Sequence, residues 1–318
     1  MKKPWVRCKM HRFMAAKFLL LFLLLCMIID TATVEAAPPI PNKDITPSHV
    51  FQASRHALAE LLPLIEARRI TPNVRKTSMA ERMPRHVWQK AREVLIKIQY
   101  LQAREGIPPL ALPPSYTGDI APSDVKILVD AAFDALRTIR EKEGLSQPDY
   151  ARFQAGKTPT DVYQNLSILS LLLDTILKTS ITPSDVYRVA QSVNDVLHQI
   201  YEIKGLTAPN ANASNISGKS PRDVYRLSLE LMRKLDRLTR TPGYAIPGGV
   251  VILQPIAGRI TPSDVINAQE SILADVQAMG LSIMGVKPIE IPHFETGKIP
   301  SDVYRLCLEA ITLVEGLQ

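Results

Sequence analysis

Hydrophobic residues recur along the chain at steps of three and four, in stretches separated by proline-rich connections. Val186, Val189, Ala190, Val193, Val196, Leu197 and Ile200 form one stripe, the pattern of a helix that buries a single face. Val87, Ala91, Val94, Leu95, Ile98 and Leu101 form another, and Val224, Leu227, Leu231, Leu235 and Leu238 a third. No comparable stretch alternates apolar and polar residues with period two. The pattern predicts an all-α fold of amphipathic helices.

The helices are predicted to begin on one phrase, written eight times. Its clearest copies are Thr46-Pro47-Ser48-His49-Val50, Thr182-Pro183-Ser184-Asp185-Val186 and Thr261-Pro262-Ser263-Asp264-Val265. The other five start at Pro84, Pro122, Pro159, Pro221 and Pro300. A Thr or Ser before the proline suits an N-cap, whose hydroxyl accepts an orphan backbone N–H. Proline at N1 has its φ already set and lacks an N–H the helix could not have used. Aspartate at N3 completes a capping box and places negative charge at the positive end of the dipole. Before the cap, the copies alternate. Ile45, Ile120, Ile181 and Ile260 are suited to a hydrophobic staple with Val50, Val125, Val186 and Val265, whereas Arg82, Lys157, Lys219 and Lys298 occupy the same slot in the other four. The stops look regular too: Gly106-Ile107, Gly144-Leu145, Gly205-Leu206 and Gly280-Leu281 each place an apolar residue after a glycine, which predicts Schellman closures.

Spacing gives the organisation. Successive prolines of the phrase lie 37, 38, 37, 24, 38, 41 and 38 residues apart, and each copy sits 136 to 141 residues from its counterpart four copies later. A near-constant offset predicts an internal duplication: two four-helix-bundle-like halves, 37–180 and 181–318, joined at the short interval. One continuous α-solenoid is the alternative. Solenoid repeats of this length usually hold a helix pair, however, and here each period holds one helix and a long connection.

Residues 1–36 have a different character. Lys2, Lys3, Arg7, Lys9, Arg12 and Lys17 precede the apolar run Phe18–Ile29, and Val34-Glu35-Ala36 supplies small residues at a cleavage position. That is the plan of a secretory signal peptide, since the run is too short to span a bilayer as a helix. The expected destination is export, periplasmic or secreted, with an inner-membrane anchor by an uncleaved leader as the alternative. The leader also carries much of the basic charge. The whole chain has 38 Lys+Arg against 31 Asp+Glu, net +7; beyond residue 36 these become 32 and 29, net +3. No nucleic-acid partner is expected on that balance. Overall composition is globular, with 46% apolar and 22% charged residues. Cys307 alone survives removal of the leader; flanked by Leu306 and Leu308, it reads as a buried small hydrophobe.

Candidate chemistry is sparse. Residues present in most copies are scaffold, because an active site is seldom needed eight times. No HExxH, CxxC, phosphate-loop or Gly-x-Ser-x-Gly pattern occurs, so no catalytic residue, cofactor or metal is expected. The informative residues break the repeat. Connections 107–118, 242–258 and 281–294 are long, proline-rich and apolar, which is unusual for bundle loops. One reading closes them over the core. The other makes a partner surface of Tyr116, Tyr244, Val250, Val251, Ile252, Leu253, Ile289, Ile291, His293 and Phe294. The expectation is therefore an exported, non-catalytic helical-repeat module that docks a protein partner. A small-ligand or sensor module with a pocket in a helical bundle is the alternative.

Overall fold

The computed structural model describes residues 44–71, 80–113, 119–178, 181–211, 216–283, 285–289 and 291–318. The leader therefore lies outside the described residues. Among them the fold is all-α, with no strand. Eight helices follow in order: α1 (Pro47–Ala67), α2 (Pro84–Arg104), α3 (Pro122–Lys142), α4 (Pro159–Leu177), α5 (Pro183–Lys204), α6 (Pro221–Leu238), α7 (Pro262–Met279) and α8 (Pro300–Gly316). Every one begins at the proline of the repeated phrase.

The N3 side chain is the constant of these starts. In all eight helices it accepts a hydrogen bond from the N-cap backbone N–H, at 2.7 to 3.2 Å. The reverse bond, from the N3 N–H to the cap hydroxyl, forms at Thr158, Thr182 and Ser220, at 3.3 to 3.4 Å. Met83, Ala121 and Ile299 occupy the cap position with no side-chain oxygen to offer. The aspartate or histidine at N3 therefore carries the motif more than the Thr or Ser does.

Helices α1–α4 enclose one core and α5–α8 another. Their direction is the feature that organises each set. Pro47, Pro84, Pro122 and Pro159 meet in one ring with Val50, Val87, Val125 and Val162. Pro183, Pro221, Pro262 and Pro300 meet likewise with Val186, Val224, Val265 and Val303. All four helices of a set start at the same end, so they run parallel. The opposite ends meet as well: Arg68 bonds Glu105 at 3.0 Å and also reaches Glu143, joining the C-caps of α1, α2 and α3, while Arg104 donates to the Ile176 carbonyl of α4 at 2.8 Å.

Parallel packing explains the long connections. A helix of this length rises about 30 Å, so the chain must travel that far back before the next start, roughly nine extended residues at minimum. The return runs lie against the helices. Leu110 exchanges bonds with Gln99 and Gln102 of α2, Ala151 accepts from Gln52 of α1 and sits 3.0 Å from His56, and Gln254 accepts from Tyr225 of α6 at 2.8 Å. The five residues between α4 and α5 need no such return, which is why that interval alone is short.

The alternation before the cap also finds its meaning. Each even-numbered copy clasps a neighbouring helix start, in the same order in both sets. The N–H of Arg82 bonds Thr160 of α4, and that of Lys157 bonds Ser48 of α1; in the second set, Lys219 bonds Ser301 of α8 and Lys298 bonds Ser184 of α5, all at 2.9 to 3.1 Å. The four cations lie over the rings of Tyr163, Phe51, Tyr304 and Tyr187, respectively, at 4.2 to 4.7 Å. Where Ile replaces the cation it packs on the core instead.

Three of the four expected glycine stops form. Gly106, Gly144 and Gly205 adopt φ of 64, 68 and 64°, and the next residue's N–H reaches back five residues at 2.8 to 3.2 Å. Gly280 is different. It keeps φ −57° and opens a 3₁₀ turn, Gly280–Ser282. A Cβ there would stand 2.9 Å from Val286 Cγ1, so close packing of the return run, not a left-handed turn, requires this glycine.

The bonds at the helix starts make the N3 carboxylates testable. Backbone and side-chain bonds from Thr158 hold Asp161 below its ordinary pKa, and the hydroxyl and N–H of Ser220 do the same for Asp223. A depressed folded pKa gives stability that is present above the ordinary aspartate range and lost as pH falls through the folded value. Asp161→Ala and Asp223→Ala should each cost about 0.5–1 kcal/mol at pH 7, with the loss shrinking towards pH 2–3. Urea unfolding of both variants across that range checks this; a cost independent of pH contradicts it.

Candidate functional site

Of the residues read as a partner surface, most turn inward. Tyr116 lies outside the described residues. Tyr244, Leu253 and Ile289 belong to the second core, which corrects the expectation for these three, and Val250, Val251 and Ile252 are half-buried against it. The reason is mechanical: a return run that lies along its own helices buries its apolar side chains there. Lys204 covers the Tyr244 ring at 4.3 Å. His293 is exposed, as is Phe294 at 38%. Ile289, Ile291 and Phe294 line one wall of a cavity of about 470 Å³.

That cavity sits where the two helix sets meet. Helix α2 supplies Gln89, Arg92, Glu93, Ile96 and Lys97 from the first set. Helices α5 and α7 supply Arg188, Val189, Ile266, Glu270 and Leu273 from the second. Its surroundings are set by the contact between α2 and α7, the pair of helices that carries the junction. Helix α7 is buried on every side, because one face packs into its own core and another meets α2.

The junction is a polar seam. Arg82 donates to Ser271 at 2.7 Å, Arg85 Nε pairs with Asp275 at 2.7 Å, and Gln89 donates to Gln277. Arg85 also ties the connection before α7, donating to the carbonyls of Pro247 and Gly249. His86 joins the same carboxylate: its Nδ1 accepts from the Met83 N–H at 3.0 Å, and its Nε2 lies 3.0 Å from Asp275. These partners assign the proton to Nε2. Burial, opposed by the Asp275 charge, holds the His86 pKa below its ordinary value, so the ring is neutral. With both nitrogens engaged it has none free to abstract a proton, and the pair fastens the halves together.

Nearer the cavity, Lys90 is buried against Glu93, Glu270 and Asn267, at 2.7 Å from the last two. Lys97 continues the chain to Glu93 at 2.8 Å and Asp174 at 2.7 Å. The carboxylates respond in opposite ways. Lys90 and Lys97 overcome burial and draw Glu93 far below the carboxylate range. Burial, reinforced by the Glu93 charge, pushes Glu270 well above it. Cys307 plays no part: burial raises its thiol to about 12, and the Gln269 amide lies 3.2 Å from Sγ. Among the described residues, no group of three or more His, Cys, Asp or Glu is placed to hold a metal ion. None of the helices there is long and apolar enough to cross a membrane.

Comparison of the chain with family models, curated proteins and solved structures gave no match. Function must be read from the site. The sequence carries one cue for it: α2 holds Arg85, His86, Gln89, Lys90 and Lys97 within a single helix, more polar residues than one solvated face needs, and all five are buried.

Glu270 yields a pH signature. Its folded pKa lies above the unfolded value, so the folded state holds the proton more tightly. The associated stability is present below the ordinary glutamate range and is lost as pH rises towards the folded value. Glu270→Gln, which mimics the protonated acid, should match the native chain near pH 4.5 and become progressively more stable than it towards pH 8. Paired denaturation curves read this directly; parallel curves across the range refute it. Lys90→Met, by contrast, strands a buried carboxylate and should cost about 3–5 kcal/mol.

Proposed function

We propose that the chain is an exported, non-catalytic helical module that binds a small molecule in the cleft between its two four-helix sets. The single observation behind this reading is the cavity of about 470 Å³, walled by both sets and by the connection before α8. Its size falls in the usual range for small-ligand sites, roughly 300–1,000 Å³. Its walls mix apolar side chains with polar and charged ones, among them Glu93, Lys97, Asp174 and Glu270, which a buried ion network holds in place. The site differs from the pocket anticipated inside a bundle, because both bundle interiors are filled by their own Leu, Val and Ile side chains.

Docking of a protein partner has less support. Leu62, Tyr100, Ile127, Phe153, Ile203, Leu206, Phe294 and Ile299 are the large apolar side chains left exposed among the described residues. They come from four helices and three connections, and the apolar connections that suggested a surface are largely spent on the core. Support for export comes from the leader's sequence plan.

The test uses the purified full-length protein and Nile red, a neutral apolar fluorophore. Saturable binding is expected, with a rise in melting temperature; a ligand at 100 times its Kd adds about 2.7 kcal/mol. Val189→Trp and Ile96→Trp place bulk in the cleft and should abolish binding while the helical circular dichroism stays unchanged. If the native chain shows no saturable binding, or both variants bind as it does, the reading fails.

A further inference from the structure

We infer that the ligand of the cleft is a small organic anion with an apolar body, its acid group held between Arg92 and Arg188. This rests on the cleft being a binding site and adds the chemistry it selects.

Arg92 comes from α2 and Arg188 from α5, so one guanidinium is contributed by each helix set, and both line the cavity. The acids on the same walls are already engaged. Glu93 pairs with Lys90 and Lys97, and Asp174 pairs with Lys97. Asp185 accepts from the N–H and hydroxyl of Thr182 at 2.9 and 2.6 Å. Glu270 faces Lys90 at 2.7 Å. Among the described residues, neither Arg92 nor Arg188 forms an ion pair with any of them. Arg92 Nε is buried and makes no hydrogen bond.

Arg92 is half-buried, with its guanidinium carbon 5.8 Å from the Trp88 ring centroid. Leaving it without an anionic partner is costly, and a second cation beside it raises the cost. Arg92 registers both effects: burial and the charge of Arg188 pull its pKa down to about 10. A carboxylate, sulfonate or phosphate monoester seated between the two would relieve the repulsion and supply the missing acceptor. Guanidinium forks are built for that contact, since their parallel N–H groups match the paired oxygens of such anions. Arg188 is held for the task by the Phe294 ring, whose centroid lies 5.5 Å from its guanidinium carbon. The body of the ligand follows from Ile96, Val189, Ile266, Leu273, Ile289 and Ile291, which line the same cavity beside Gln89, Ser192 and Gln277.

The experiment displaces Nile red from the full-length protein with decanoate, decan-1-ol, decyltrimethylammonium and acetate. Decanoate should compete at a concentration at least about ten-fold lower than decanol, as expected of charge-assisted hydrogen bonds. The ammonium and acetate should compete poorly. Arg188→Gln should remove most of that ten-fold advantage and leave decanol unchanged. Arg92→Lys, which keeps the charge without the fork, should weaken decanoate by a smaller factor. Equal competition by decanoate and decanol overturns the anionic head while leaving the cleft a binding site, and equal competition by acetate and decanoate overturns the apolar body. Failure of Nile red to bind the native chain strikes the binding reading beneath both.

Discussion

Four helices that start at one end of a bundle pose a problem that antiparallel bundles do not have. Their macrodipoles point the same way, so partial positive charge gathers at one end and partial negative charge at the other. Here the charges are answered locally. Every start carries an acceptor at N3, bonded to the N-cap N–H. At the far end of the first set, Arg68, Arg104 and Lys142 reach the C-caps and last carbonyls of neighbouring helices. The same parallel arrangement forces each connection within a set to retrace a helix, which turns those connections into part of the wall. Tyr244, Ile246, Leu253, Ile260, Ile283 and Ile289 are core residues for that reason.

The eight starts, the all-α class and three of the four glycine stops were legible because each depends on residues close together in sequence: a cap, a proline at N1, an acceptor at N3, a glycine after the last turn. Helix direction is written in the length of the connections. Connections as long as the helices they join leave an antiparallel arrangement with chain to spare, and that excess is the mark of a return journey. The alternation of Ile with Arg or Lys before the cap was also visible, but its meaning lies between helices. Only packing shows Lys219 over Tyr304, or Lys298 over Tyr187. Gly280 misled because its sequence context matches the other stops, while its actual constraint is a distant contact with Val286.

The same clasps recur in the same order in both sets, from the second helix to the fourth and from the fourth to the first. Equivalent sequence positions therefore do equivalent mechanical work, a geometric counterpart to the constant offset between copies. The sets diverge where they meet. Helix α2 and its counterpart α6 occupy matching places, yet α2 buries Arg85, His86, Gln89 and Lys90, while α6 carries Arg222, Asp223, Arg226 and Leu227 at the corresponding positions. One helix of the first set, α2, has been given over to the junction, and its excess of buried polar residues over α6 is the mark of it.

A polar seam differs from an apolar one in what it demands. Hydrophobic faces tolerate sliding, whereas His86 between the Met83 N–H and Asp275, or Arg85 on two carbonyls and a carboxylate, permits one register. A fixed register between two bundles joined mainly through α2 and α7 leaves a cleft beside the contact. The ion chain Lys90–Glu93–Lys97–Asp174 runs from that contact into the cleft, satisfying its own members as it goes. Arg92 and Arg188 stand at the edge of the chain and are not included in it. The two guanidiniums left without an acid at the cleft thus follow from how the halves are joined, and for that reason the junction and the cleft form one structural unit.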